Sequence, residues 1–183
     1  MLRLFDFVLS FCALCLLWPV VAILAVVGWF DNRSPFFFQT RVGQGQRPFI
    51  LVKFRTMSVG TESVATHLAD PQSVSRWGGF LRRTKFDELP QLWNVMLGHM
   101  SLVGPRPCLF NQFELIAERE ALGVFTVRPG VTGAAQVQGV DMSTPKRLAM
   151  IDAEMIQRMS VRLYVQLIVQ TAMGGGSGDR IRK

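Results

Sequence analysis

From Phe7 to Phe30 the chain carries 24 consecutive residues without a charged side chain, bounded by Asp6 and Asp31. Such a run matches a bilayer core of about 30 Å and exceeds the roughly 7–15 apolar residues of a secretory signal. It ends without a small-residue cleavage site and reads as a retained membrane segment. Pro19 stands near its middle, where the missing amide donor and the ring's clash with the preceding turn kink or break a helix. Two halves of 12 residues, 7–18 and 19–30, result. Each is about 18 Å long, too short to cross alone. A kinked single span and a re-entrant hairpin that dips into one leaflet both stay open. Arg3 precedes the run and Arg33 and Arg41 follow it, so both flanks carry the positive charge typical of the cytoplasmic side, which favours the dip. Cys12 and Cys15 lie within hydrocarbon, where a thiol has no thiolate to offer, and read as packing residues.

The 183 residues are 49% apolar and only 18% charged, and 20 Lys+Arg against 13 Asp+Glu leave a net charge of +7. Disorder is excluded, one domain is expected, and the positive balance points to anionic partners. Three Cys and two His without metal-ligand spacing exclude a structural zinc site and a disulfide-stapled secreted domain.

Beyond residue 31 the aromatic and β-branched stretches 36–41 and 48–55, separated by Gly43 and Gly45, predict a β-hairpin. If the second stretch is extended, Lys53 and Arg55 share a face, an arrangement suited to a polyanion and equally to a solvated strand. Residues 58–75 read as a loop that could serve as a lid. Arg76, Arg82, Arg83 and Lys85 then lead to Asp87-Glu88-Leu89-Pro90. Pro90 is harmless at the third helical position if Asp87 is the N-cap, so the helix is expected to start at Asp87, with an apolar stripe of Leu89, Leu92, Trp93, Met96 and Leu97. A carboxylate at a helix N-terminus among cations stays ionised and is a usable nucleophile, and the same surroundings attract phosphate. Glu88, about 100° further round the helix, can hold Mg²⁺. A plain cap at Asp87 would leave the same sequence.

Further on, Gly104-Pro105-Arg106-Pro107 and Arg128-Pro129-Gly130-Val131-Thr132-Gly133 mount arginines on rigid backbone, so little freedom is lost when either forks onto a phosphate. The stretch 161–169 predicts an apolar-rich helix suited to the membrane interface or to core packing. A membrane-anchored basic module that binds anionic lipid or nucleic acid without catalysis is the alternative reading. It gives no role to Asp87 and Glu88 at the centre of the cations.

Phe5-Asp6-Phe7, Lys53-Phe54-Arg55-Thr56-Met57, Asp87-Glu88-Leu89-Pro90-Gln91-Leu92-Trp93-Asn94, Gly104-Pro105-Arg106-Pro107 and Arg128-Pro129-Gly130-Val131-Thr132-Gly133 resemble the motifs of the bacterial sugar transferases, in particular the small monotopic phosphoglycosyl transferases. The resemblance covers about residues 1–170. It implies an α+β, mainly helical monotopic membrane protein with an N-terminal re-entrant helix-break-helix hairpin, a small β-hairpin and interfacial amphipathic helices. Residues 1–30 would form the membrane helix broken at Pro19, 31–173 the catalytic domain on the cytoplasmic face of the bacterial inner membrane, and 174–183 a flexible Gly-rich tail.

The implied reaction moves a phosphosugar from a UDP-sugar to undecaprenyl phosphate and releases UMP. By position in the motifs, Asp87 corresponds to the family's nucleophile, which forms a covalent phosphosugar intermediate, and Glu88 to its Mg²⁺ ligand. Lys53, Arg82, Arg106 and Arg128, with Arg55 beside Lys53, would bind the diphosphate or nucleotide, and Asp152 falls near a later acidic position. Membrane lipids are implied partners and nucleic acid is not; the oligomeric state stays open, a homodimer included. Two departures stand out: Trp18 precedes the proline where a relative has Ser, and Ala134-Ala135-Gln136 replaces a stretch that is aromatic in many members.

Overall fold

The uncharged run forms one helix. The computed structural model describes residues 2–61 and 71–175, and in it α1 extends from Leu2 to Asn32 with Pro19 inside. The helical hydrogen bonding runs through Pro19, because proline deletes a single i to i−4 bond while the apolar turns on either side keep theirs. Among the described residues this is the one helix long and apolar enough to cross a membrane. Asp6, Ser10, Leu24 and Gly28 are its buried residues, and their spacing places them along one face. Leu4, Phe11, Leu16, Trp18, Ile23 and Phe30 lie exposed on the rest.

Both ends of α1 are tied to the remainder of the chain. Near the start, the Arg3 guanidinium donates to the Val95 and Met96 carbonyls at 2.6 and 2.8 Å, and the Asp6 carboxylate accepts from the Leu102 amide at 2.8 Å. Near the end, Leu24 is buried with Phe54 and Leu81, against Trp77, Phe86 and Leu89, and Asp31 accepts from the Ser75 hydroxyl at 2.7 Å. Burying side chains such as Leu24, Phe54 and Leu81 stabilises the fold by about 1.5–3 kcal/mol each.

The predicted hairpin is present as β1 (Phe36–Val42) and β2 (Pro48–Phe54), antiparallel with Phe37 opposite Lys53. Its buried face mixes polar with apolar residues: Gln39 and Arg41 are buried beside their partners Leu51 and Phe49, whereas Phe38 and Ile50 are exposed. Arg41 is accommodated because its guanidinium donates to Gln39 Oε1 at 2.9 Å and to the Pro107 carbonyl at 3.0 Å. The segment that follows begins with a turn at Ser58–Thr61. Residues 62–70 of the expected lid lie outside the described residues, as do 176–183 of the expected tail.

Helix α2 (Arg76–Thr84) starts on Ser75, whose side chain accepts from the Gly78 amide. Helix α3 (Gln91–Leu97) buries Gln91, Asn94 and Val95 and leaves Trp93 and Leu97 more than half exposed, at 54% and 55%. The expected apolar stripe is therefore only partly on the core, Leu89, Leu92 and Met96 being half-buried, for a local reason. The Asn94 amide accepts from the Val52 N–H at 3.0 Å and donates to the Ile50 carbonyl at 2.7 Å, pairing with β2 as a neighbouring strand would.

Strand β3 (Ser101–Val103) pairs in parallel with β4 (Gly130–Thr132), a contact the sequence reading did not contain. Between them lies α4 (Phe113–Ala121), and after them come α5 (Ala134–Val137), α6 (Pro145–Gln157) and α7 (Val161–Ala172). Helix α7 is apolar on two sides: Tyr164 and Leu167 are buried with Val103 and Met155, while Val161, Val165 and Val169 are exposed.

Candidate active site

Asp87 and Glu88 sit in the tight connection between α2 and α3. Lys85 ends α2 in the left-handed region at φ 59°, and Phe86–Glu88 form a single 3-10 turn. Pro90, not Asp87, precedes the first residue of α3, so the expected N-cap at Asp87 is corrected. Once Lys85 turns the chain sharply, the 3-10 bonds from the Glu88 and Leu89 amides use the Lys85 and Phe86 carbonyls, and the α-helix begins only beyond the proline. Two successive carboxylates are buried in this turn, Asp87 at 2% and Glu88 at 9% exposure. Carboxylates are buried only where polar or charged groups answer them.

Arg106 answers Glu88, with Nη2 donating to Oε1 at 2.9 Å. The two prolines beside Arg106 restrict its backbone, and the residue before a proline is held out of the helical region. Every carbonyl from 105 to 108 is also engaged. Pro105 accepts from the Gly130 amide at 2.9 Å and Cys108 from the Val42 amide at 3.0 Å, Pro107 from Arg41, and Arg106 from Arg119 Nη1 at 2.8 Å. The first glycine of each Gly/Pro motif is explained by one crossing: a Cβ on Gly130 would lie 2.0 Å from the Gly104 nitrogen, so the two loops touch backbone to backbone. The two motifs, read separately in the sequence, form one rigid unit.

Lys53 and Thr56 approach from the hairpin side, where β2 packs on the 86–88 turn. Thr56 Oγ1 accepts from Arg82 Nε at 2.8 Å, which aligns the last turn of α2 with the strand end. Lys53 and Arg55 share a face as expected, their charged groups lying 5.7 and 5.3 Å from the Phe37 ring centroid. Arg55 nevertheless donates to the Ser34 and Phe36 carbonyls at 3.1 and 3.4 Å, which ties down the start of β1. The structure thus sets Arg106 on Glu88 and ties Arg82 to Thr56 just beyond β2, the strand that packs on the 86–88 turn and carries Lys53.

Arg128 is placed elsewhere. Its Nε donates to the Gly98 carbonyl at 2.8 Å, at the end of α3 opposite the carboxylates, beside the Val95 and Met96 carbonyls that Arg3 takes. Two guanidinium groups on the terminal carbonyls of one helix answer its partial negative charge. Arg128 also lines a cavity of about 230 Å³ with Arg3, Asp6 and Tyr164.

Asp152 does not reach Glu88 either. It is buried on α6, where Oδ2 accepts from Arg119 Nε at 3.1 Å and Nη2 at 2.7 Å. Burial pushes the Asp152 carboxyl above its ordinary value, and Arg119 opposes that shift. Arg119 and Thr56 escaped the sequence reading. The signal for Arg119 was a charge four residues after Leu115 on the buried face of α4.

Among the described residues, no three His, Cys, Asp or Glu side chains gather into a ready-made metal site. Adjacent buried carboxylates fit a different requirement, since Mg²⁺ takes oxygen ligands and is commonly held by one or two carboxylates together with substrate phosphates.

A family model described as bacterial sugar transferase matches residues 1–175. The chain is 37% identical over 180 residues to a UDP-glucose:undecaprenyl-phosphate glucose-1-phosphate transferase of Xanthomonas campestris pv. campestris, covering 92% of this chain and 37% of that protein. It is 36% identical over 182 residues to an Escherichia coli (strain K12) protein of the same name, covering 93% of this chain and 39% of the relative. A Bacillus subtilis (strain 168) sugar transferase whose activity is uncharacterized, EpsL, is 35% identical over 170 residues, covering 92% of this chain and 84% of its own length. The chain thus spans little more than a third of the two glucose-1-phosphate transferases and most of the third relative.

Proposed function

The chain belongs to the bacterial sugar transferase family, and from that premise we propose that it transfers a phosphosugar from a UDP-sugar to undecaprenyl phosphate through a covalent intermediate on Asp87. The observation that carries this reading is the pair of adjacent buried carboxylates, one held by Arg106 at 2.9 Å, a guanidinium suited to a diphosphate. Two relatives named for transfer of glucose 1-phosphate to undecaprenyl phosphate support the substrate class.

In the first step an Asp87 oxygen attacks the sugar-linked phosphorus, the anhydride bond to the uridine-bearing phosphate breaks, and UMP leaves. An oxygen of the polyprenyl phosphate then attacks the same phosphorus, which restores the Asp87 carboxylate and forms the polyprenyl diphosphosugar. The Arg106 backbone is fixed by its prolines and its guanidinium is already held beside the carboxylates on Glu88, so it can meet the diphosphate with little reorganisation. Mg²⁺ held at Glu88 would neutralise charge on the phosphate oxygens when bound.

The lipid acceptor requires a site at headgroup depth, and the packing of α1 supports one. A helix of 31 residues is about 46 Å long if straight, so a perpendicular span would separate its ends across the membrane. Arg3 and Asp6 at one end and Leu24 and Asp31 at the other all contact the rest of the chain. We therefore read α1 as a monotopic, re-entrant element bent near Pro19, with the catalytic residues on the cytoplasmic face. The exposed Trp93, Leu97, Val161, Val165 and Val169 add apolar surface suited to that interface.

Incubation with a UDP-sugar and Mg²⁺ but no acceptor, followed by mass spectrometry, is expected to find a phosphosugar adduct on Asp87 and UMP in solution. Unmodified protein that turns over with UDP as product would overturn the covalent route.

A further inference from the structure

Arg119 is a charged side chain with 1% exposure in the centre of the molecule. Two of its nitrogens fork onto Asp152 Oδ2, at 3.1 and 2.7 Å, and the third donates to the Arg106 backbone carbonyl at 2.8 Å. Replacing a buried ion pair by well-packed apolar residues is often neutral or stabilising, so the pair is not explained by holding α4 against α6. An apolar pair could not supply the donor that Arg106 uses.

The geometry points to Arg119 and Asp152 as positioning residues for the transfer site, an inference that rests on the transferase reading of Asp87 and Glu88. We propose that Asp152 fixes the Arg119 guanidinium, that Arg119 fixes the Arg106 backbone, and that the Arg106 side chain is thereby aimed at Glu88 and at the substrate diphosphate. Four elements are linked in sequence: α6, α4, the loop at 104–107 and the turn at 86–88. Asp152 touches neither Asp87 nor Glu88 in this chain of contacts, so it acts at a distance. Asp152→Asn removes the negative charge that faces the fork, leaving the buried guanidinium with a weaker acceptor beside the Arg106 carbonyl and the Cys108 thiol. That guanidinium then seeks a better acceptor, and its bond to the Arg106 carbonyl shifts with it.

The test uses the full chain in detergent or nanodiscs, with Asp152→Asn as the variant. Hydrogen exchange in the peptide spanning 104–109 is expected to accelerate, while the hairpin at 36–54 keeps its protection. Transfer from a UDP-sugar, normalised to folded protein, is expected to fall about tenfold in kcat/KM. In an Arg106→Ala background the same substitution is expected to change transfer by no more than about twofold, since the residue through which it acts is gone. A purely structural Asp152 would lower transfer by the same factor in both backgrounds.

Equal factors in the two backgrounds, or unchanged exchange at 104–109, overturn the positioning role while wild-type transfer leaves the enzyme reading intact. Wild-type protein that transfers from no UDP-sugar, with exchange at 104–109 still responding to Asp152→Asn, overturns the transferase reading and leaves the mechanical link standing. Should Asp152→Asn fail to fold, Arg119→Lys carries the same expectations. Its single ammonium keeps the charge and cannot fork between Asp152 and the Arg106 carbonyl.

Discussion

The Tyr164 hydroxyl donates to Asp6 Oδ1 at 2.5 Å, joining the helix that opens the chain to the helix that closes its described part. The same oxygen accepts from the Ser101 hydroxyl at 2.9 Å and the Leu102 amide at 2.8 Å. Burial, and then the neighbouring Asp6 carboxylate, push the Tyr164 phenol upward, so it remains a donor throughout the working pH range. Tyr164→Phe keeps the ring and removes one of three donors. It is expected to cost about 1–2 kcal/mol, read as a lowered melting midpoint in detergent. Asp6→Ala strands the hydroxyls and the amide together and is expected to cost more than the tyrosine variant.

Arg106→Ala removes the partner of Glu88 and the cation nearest it. Because the side chain is pre-positioned where phosphate charge develops, kcat/KM for a UDP-sugar is expected to fall about a hundredfold. Arg106→Lys keeps a charge but loses the planar fork, and recovers only part of the loss. Release of UMP under saturating acceptor measures both.

How much of this site could be read from the chain depends on the range of the interaction that makes it. The hairpin was legible because aromatic and β-branched residues at 36–42 and 48–54 flank a Gly-containing loop, a local signal. The long helix was legible from the absence of charge between Asp6 and Asp31. Arg106 was legible as a rigidly mounted guanidinium because its prolines are its neighbours in sequence. The start of α3 was misplaced because the left-handed turn at Lys85, a non-glycine residue, leaves no compositional mark. The buried polar residues of the hairpin and of α3 depend on partners far along the chain, Pro107 for Arg41 and Ile50 for Asn94. The Gly98 carbonyl that Arg128 meets lies thirty residues away, so this contact at the end of α3 leaves no mark in the sequence around the arginine.

The approach of α2 to the strand end can be tested at two neighbouring glycines. A Cβ on Gly78 would lie 2.0 Å from the Thr56 carbonyl oxygen, whereas one on Gly79 would meet nothing within 4 Å. Gly78→Ala is expected to push α2 off the strand end, pull Arg82 away from Thr56 and cost about 3 kcal/mol. Gly79→Ala, one residue on in the same helix, is expected to gain up to about 1 kcal/mol through helix propensity. Thermal melts of the pair separate a packing constraint from a general intolerance of α2 to substitution.

The disposition of α1 gives the remaining prediction. Arg3 and Asp6 bind groups at the end of α3 and in β3, and Asp31 binds Ser75 before α2; these anchors belong to the part of the chain that carries Asp87 and Glu88. If α1 crossed the bilayer, one set of contacts would have to break, exposing Asp6 to the opposite side and stranding the hydroxyl of Tyr164. A bend at Pro19 keeps both sets, at the cost of one helical hydrogen bond that the proline has already removed. With Cys12, Cys15 and Cys108 replaced by Ala, single cysteines at Leu2 and Ser34 are therefore expected to react with an impermeant maleimide only when the cytoplasmic face is opened. Labelling of one position from outside intact cells and the other from inside would establish a span and remove the monotopic reading.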